Sequence, residues 1–286
     1  MTIKIASAQY DVSFFSHWQE FVDKATRWVA EASANQATLL VFPEYASMEL
    51  ASLFGVEVYS SLEKQLTALQ TVLPDYIALF KRLATDHNCT ILAGSFPVKL
   101  ETGAYVNRAY WFMPDGRSDY QDKMIMTRFE NEIWLISAGD TVKTFASEFG
   151  SFAVNICYDS EFPLLARKQT DAGASLILVP SCTDTLAGYY RVRIGCQARA
   201  LENQCYVVQS CLVGHASWSE AVDVNIGASA IYTPVDKGFP DNGILAIGEL
   251  NQPQWVYAEL DLANCERVRQ QGQVFNFRDW PLQYKY

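Results

Sequence analysis

Three ionisable residues stand at the ends or edges of apolar segments, where a folded chain must have some use for them. Glu44 follows TLLVFP, Lys123 sits inside YQDKMIM, and Cys157 closes FAVNIC before YDSEFP breaks the run. A carboxylate, an ammonium and a thiol are the parts of a nucleophilic mechanism. The thiol can form a covalent intermediate, the carboxylate can move its proton, and the cation can steady the negative charge that develops. The stretch around Cys157 suits this use. Residues 152–157 read as a buried strand and 158–163 as a turn, with a helix expected over 162–172. Peptide N–H groups released from sheet pairing then lie beside the positive end of that helix, where a thiol ionises more readily and an oxyanion can be held. Taken singly, each residue also has an ordinary explanation: a small buried apolar residue for Cys157, a solvated loop carboxylate for Glu44, a surface ammonium on a packed stem for Lys123.

The elements that must position these groups alternate. Residues 3–10 read as a first strand. Residues 16–33 read as a helix with Trp18, Phe21, Val22, Ala25, Val29 and Ala32 on one face, and Ser16 with Gln19 as a capping box. Strand 38–42 ends at Pro43 and Glu44. Two helices follow, the second opened by Pro74, and then strands at 89–98 and 106–113, the latter leading into the Pro114-Asp115-Gly116 turn. Further strands are expected at 142–147, 152–157, 175–179 and 205–213. A helix over 185–203 is suggested by a stripe of Tyr190, Ile194, Ala198 and Leu201, and three late strands by residues 226–232, 244–247 and 255–260. No repeat, low-complexity stretch or linker interrupts the chain. Helices alternating with strands early, and hairpin-like strands late, indicate a mixed sheet or two stacked sheets covered by helices.

Composition narrows the partners. Half of the 286 residues are hydrophobic, ample for a core, and the net charge of −10 disfavours nucleic acid or an anionic membrane as partner. Small molecules and proteins remain. Seven scattered cysteines without CxxC spacing give no disulfide framework or zinc ribbon, and His17, His87 and His215 form no metal motif, so neither metal nor cofactor is expected. The N-terminus enters a strand pattern directly, no apolar run is long enough to span a bilayer, and a reduced, cytoplasmic setting is the expectation.

The blocks LLVFPE, YQDKMIM and NICYDSEFP, in this order and spacing, resemble the nitrilase superfamily of carbon–nitrogen hydrolases, supported by GASLILVPS, RALENQCYVV and NGILAIGEL. The resemblance implies a four-layer αββα sandwich over residues 1–265. A tail over 266–286, rich in Phe275, Phe277, Trp280, Tyr284 and Tyr286, packs on the domain or on a partner subunit. It also implies a homodimer or higher homo-oligomer. Carried over position by position, Glu44 becomes the general base, Lys123 the cation facing the oxyanion, Cys157 the nucleophile and the Tyr158 N–H a second oxyanion donor. The family's second Glu matches Glu132, set before Gly139-Asp140, with Glu130 two residues away. Tyr45, Met48, Tyr120, Phe129, Trp134, Glu161, Thr183 and Tyr189 are expected to line the pocket.

Glu161 stands where many members carry Arg, Leu164 where a Glu often follows, and Cys211 where the family often has Asn. The expected activity is hydrolysis of a small linear carboxamide or N-carbamoyl amine. The alternatives are a nitrilase, a non-catalytic binding or regulatory protein on the same fold, and a redox-sensing thiol protein.

Overall fold

The computed structural model describes residues 2–285, so Tyr286 of the expected tail lies outside it. Apolar alternation produces β1 (Thr2–Asp11), and helix α1 (Trp18–Ala34) covers it with Phe21, Ala25, Val29 and Ala32 inward. The capping box falls one residue later than expected: Glu20, not Gln19, accepts from the N–H groups of Ser16 and His17. With His17 at the N-cap, Glu20 is the N3 residue whose side chain reaches back, and its charge is favoured at a helix N-terminus. Then come β2 (Leu39–Val41), a tight helical segment over Ala46–Phe54, and helices α2 (Val56–Tyr59), α3 (Leu62–Leu69) and α4 (Leu73–Asp86). The strands β3 (Thr90–Lys99), β4 (Tyr105–Phe112) and β5 (Ser118–Asp122) form an antiparallel meander, with Tyr110 opposite Tyr120 across the expected turn.

After β6 (Ile136–Ser137) and β7 (Phe145–Ser147), a parallel unit is built from β8 (Gly150–Val154), α5 (Pro163–Asp171), β9 (Leu176–Ser181), α6 (Leu186–Asn203) and β10 (Tyr206–His215). The strands β11 (Val224–Asn225), β12 (Ala230–Tyr232), β13 (Ile244–Ile247) and β14 (Gln254–Asp261) complete the sheet. Helices α7 (Ala263–Gln271) and α8 (Asn276–Asp279) make up much of the tail. The expected strand at 142–147 is shorter than its apolar run. That at 226–232 is broken, because Ile226 and Gly227 pair with Thr183 and Asn251 instead of a sheet neighbour.

Hydrogen bonding runs β5-β4-β3-β2-β1-β10-β9-β8-β7, and it forks in the middle. β1 meets β10 only at Gln9–Asp11, while its earlier residues pair with β2 and β14; β10 in turn pairs earlier with β12. The fork lets the ribbon curl into two stacked layers. One apolar cluster joins β1–β4 to α1 and α4, and another joins β8–β10 to α5 and α6 and continues between the sheets. This is the expected αββα order. Helix α6 corrects one detail. Of its expected stripe, Tyr190, Ile194 and Leu201 are exposed, with Leu186 beside them, and Ala198 is half-buried, while Gly188, Val192, Gly195, Cys196 and Ala200 face in. Small residues on the inner face let the helix approach closely: a Cβ on Gly195 would sit 2.9 Å from Ser160 O. The tail packs on its own domain through Phe277, which lies under the guanidinium groups of Arg167 (4.4 Å) and Arg269 (4.2 Å).

Candidate active site

The three ionisable groups converge at one end of the sandwich, each set by a local backbone device. β2 leaves the sheet at Pro43, which has no N–H to pair, and Tyr45 turns the chain with φ of 56°. Ser95 Oγ accepts from the Tyr45 N–H (3.0 Å) and Ser95 O accepts from Ser47 Oγ (2.8 Å), which fastens this loop to β3. The fit requires Gly94: its φ is +77°, and a Cβ there would overlap Pro43 O. Lys123 continues β5 by one residue, its N–H donating to Asn107 O at 2.8 Å.

β8 stops at Val154, short of Cys157, which instead opens a tight helical turn over Cys157–Glu161 with φ of 48°. Left-handed backbone at a non-glycine residue costs on the order of 1–3 kcal/mol and persists only where surroundings enforce it. Here Ser160 Oγ donates to Cys157 O (2.7 Å), Arg199 Nη1 donates to Ser160 O (3.0 Å), and the buried Asp159 carboxylate accepts from Ile156 N–H (3.1 Å). The same carboxylate accepts from Met124 N–H (3.1 Å) and Ile125 N–H (2.8 Å). Asp159 therefore locks the loop after Lys123 to the turn that carries Cys157. Burial pushes its carboxyl up to about 7, against these N–H donors and Lys123.

At the centre, Lys123 Nζ donates to Glu44 Oε1 (2.7 Å) and Glu130 Oε2 (2.6 Å), all with side chains at most 3% exposed. Glu44 also accepts from Asn107 Nδ2 (2.9 Å) and Cys182 N–H (3.0 Å). Glu130 accepts from Tyr45 Oη (2.7 Å), Asn107 Nδ2 (3.2 Å), Thr127 N–H (3.0 Å) and Thr127 Oγ1 (2.9 Å). Cys157 Sγ lies 3.6 Å from both Cys182 O and Ser181 Oγ.

The two carboxylates are driven apart. Burial raises Glu44, with Lys123 offsetting part of the rise and the charge of Glu130 adding to it. Burial acts on Glu130 in the same sense, but Lys123 and the donors from Thr127 and Tyr45 outweigh it and hold that carboxyl below its usual range. Burial alone would lower Lys123; Glu130, Glu44 and Cys157 outweigh it and keep the ammonium charged. Burial and then the charge of Glu44 push the Cys157 thiol well up. Of the two carboxyls, Glu130 is thus the one favoured as the anion and Glu44 the one that more readily takes up a proton, while Lys123 is favoured charged and the Cys157 thiol protonated.

These groups open into a cavity of about 500 Å³. Of the residues expected there, Glu44, Tyr45, Lys123, Phe129, Trp134, Cys157, Tyr158, Glu161 and Thr183 line it. Glu132 does not. It is exposed and paired with Arg128 at 2.7 Å, because residues two apart on the helical turn over Phe129–Ile133 point to opposite sides, and Glu130 takes the inward one. Met48 is fully buried in the core under α1 and α4. Tyr120 points away from the cavity, under the cations of Arg108 (3.5 Å) and Lys143 (3.8 Å). Tyr189 packs on Cys211 and Ala228, while its neighbours Gly188, Arg191 and Val192 reach the cavity.

Sequence reasoning missed Asn107, Cys182 and Asp159. Asn107 was detectable as a polar side chain within the apolar strand YVNRAYWF. Cys182 contributes through its main chain, which no residue type announces. Among the described residues no group of three or more His, Cys, Asp and Glu could hold a metal ion, and no helix is long and apolar enough to cross a membrane.

A forked sandwich with a buried glutamate, lysine and cysteine at one end is the setting of the site, and the chain belongs to the carbon–nitrogen hydrolase family, whose sequence model matches residues 4–270. A probable hydrolase of Bacillus subtilis, YhcX, is 38% identical over 99% of this chain, which spans about half (55%) of that protein's length. An omega-amidase of Xenopus laevis, NIT2-B, is 24% identical over 87% of this chain and 86% of its own. The crystal structure of a carbon–nitrogen hydrolase from Helicobacter pylori superposes with a TM-score of 0.79 at 18% identity, covering 100% of this chain and 95% of that one, which speaks to the fold.

Proposed function

We propose that this protein is an amidase that hydrolyses a small linear carboxamide or N-carbamoyl amine through a thioester on Cys157. Glu44 takes the Sγ proton as sulfur attacks the carbonyl carbon. The oxygen takes up the negative charge beside Lys123 Nζ and the Tyr158 N–H, an interaction worth roughly 3 kcal/mol per donor in comparable sites. Collapse breaks the C–N bond, and Glu44 returns the proton to the departing nitrogen. Glu44 next deprotonates a water that attacks the thioester; the C–S bond breaks, sulfur regains a proton, and the acid or carbamate leaves. Glu130 holds Lys123 charged and aimed.

The observation that carries this reading is the Lys123 bridge between two buried carboxylates, in one cavity with Cys157, a thiol set in a left-handed turn. The name of the omega-amidase relative favours an amide over a nitrile. Mass spectrometry of a Glu44→Gln protein incubated with small amides tests it: a mass increment of the acyl group on Cys157 is expected. Turnover undiminished in a Cys157→Ala protein would sink the mechanism.

We also propose a homodimer, in which the exposed stripe of Leu186, Tyr190, Ile194 and Leu201 on α6, with Leu164 at 66% exposure on α5, meets the same stripe of a second copy.

A further inference from the structure

The hydrolytic steps engage the floor of the cavity and leave its rim without a task. That rim carries Glu161, Asp184, Glu220 and Asp223 against Arg128 and Arg191. Arg128 points outward, 87% exposed, and is already held by Glu132. Glu161 differs from the other acids. It closes the very turn that Cys157 opens, its side chain is only 20% exposed, and no hydrogen bond reaches it among the described residues. Its nearest cation, Arg191, stands off at 3.8 Å and is 63% exposed, so the carboxylate is the inner member of the pair and the guanidinium the solvated one. Burial pushes the Glu161 carboxyl above its usual range, with Arg191 and then Lys123 offsetting part of this. A carboxylate deprived of water and given no donors is stabilised by whatever ligand brings N–H groups to it.

We propose that the cavity selects amides whose far end carries an ammonium or guanidinium group, with Glu161 as the specificity-determining carboxylate. This rests on the amidase reading above and adds the charge of the substrate to it. The apolar wall of Val192, Ala221 and Val222 suits an alkyl spacer between the scissile amide and that cation. Six acidic residues line the cavity against three basic ones, and with Glu44, Glu130 and Lys123 engaged with one another the remaining excess is again acidic. The net charge of −10 on the whole chain draws cations in the same direction. A substrate ending in a carboxylate meets repulsion from Glu161 and has only the solvated Arg191 to answer it.

The test separates charge preference from catalysis by reading binding on a protein that cannot turn over. Calorimetry on the Cys157→Ala protein compares ω-amino alkanamides with methyl-ended and carboxylate-ended alkanamides of equal chain length. The ammonium ligand is expected to bind about tenfold tighter than the methyl-ended one, the scale of a single charge-assisted hydrogen bond. The carboxylate ligand is expected to bind weakest, and adding Glu161→Gln is expected to remove the ammonium advantage. Equal binding of the three, no measurable binding of any, or tightest binding of the carboxylate with loss on Arg191→Ala, overturns the proposal. Absence of amide turnover by the unsubstituted protein overturns the amidase reading instead, and the two results are obtained independently.

Discussion

The sharpest test of the site compares two glutamates two residues apart. In Glu130→Gln the shape is kept, but one oxygen becomes an NH2 group in a space where every neighbour donates: Lys123 Nζ and Thr127 N–H on one side, Tyr45 Oη and Asn107 Nδ2 on the other. Only the Tyr45 and Thr127 hydroxyls can rotate to accept, so the amide strains at least one contact whichever way it is turned. Removing one partner of a buried pair costs about 3–5 kcal/mol when the other is left alone. Lys123 keeps Glu44, so the lower end, about 3 kcal/mol, is the better figure. If that loss appears fully in the placement of the Lys123 ammonium, kcat falls about 100-fold, at roughly 1.4 kcal/mol per tenfold. If it appears in folding, the unfolding midpoint of this 286-residue chain drops by about 5 °C. Glu132→Gln breaks only the exposed pair with Arg128, where the effect is about 0.3–0.5 kcal/mol, within error for both readouts. Steady-state kinetics and thermal melts on both variants decide. A Glu130→Gln protein with undiminished kcat and midpoint, or an inactive Glu132→Gln protein, would refute the placement of Glu130 at the centre.

Other outcomes follow from the same geometry. Since burial raises Glu44, which in the proposed mechanism must be ionised to act, kcat/KM is expected to fall as pH drops through a value above the usual carboxylate range; Cys157 and Lys123 are both pushed up, so a flat profile is expected above that value into the alkaline range. A profile centred on the ordinary Glu value would contradict this. Asp159 is raised to about 7 in the fold, so its protonated form is favoured there and the stability it contributes is present below about 4 and lost as pH rises through about 7. The melting difference between the parent and Asp159→Asn should therefore narrow across that window, and widening would be the wrong sign. Gly94→Ala, which drives a Cβ into Pro43 O at a positive φ, should lower both stability and activity, read by melts and kinetics. Ile194→Arg should give a monomer by light scattering with a soluble, folded chain, whereas an unchanged size would exclude α6 from the interface.

How far the sequence reveals such a site depends on what kind of information places each group. Glu44, Lys123 and Cys157 were legible because each interrupts an apolar run, and the αββα order was legible because strands and helices alternate with clear periods. The errors have a common cause. Glu130 and Glu132 are equivalent by composition and nearly so by spacing; only the winding of the turn over Phe129–Ile133, which is local backbone geometry, decides which one faces Lys123. Tyr120 and Tyr189 lie next to site residues in sequence, yet alternation along β5 and the rotation of α6 turn them away, whereas Arg191 is brought in by the same rotation. The stripe on α6 shows the reverse error. Apolar residues at helical spacing read as the buried face, but a helix that must press on the Cys157 turn needs glycine, cysteine and alanine inside, which leaves its larger apolar residues outward. The same close contact that supports the strained Cys157 backbone thus creates the exposed stripe proposed to join two copies. Disrupting that stripe should loosen the proposed dimer well before it disturbs the thiol, because Gly195 and Arg199, which touch Ser160, lie on the opposite face of the helix.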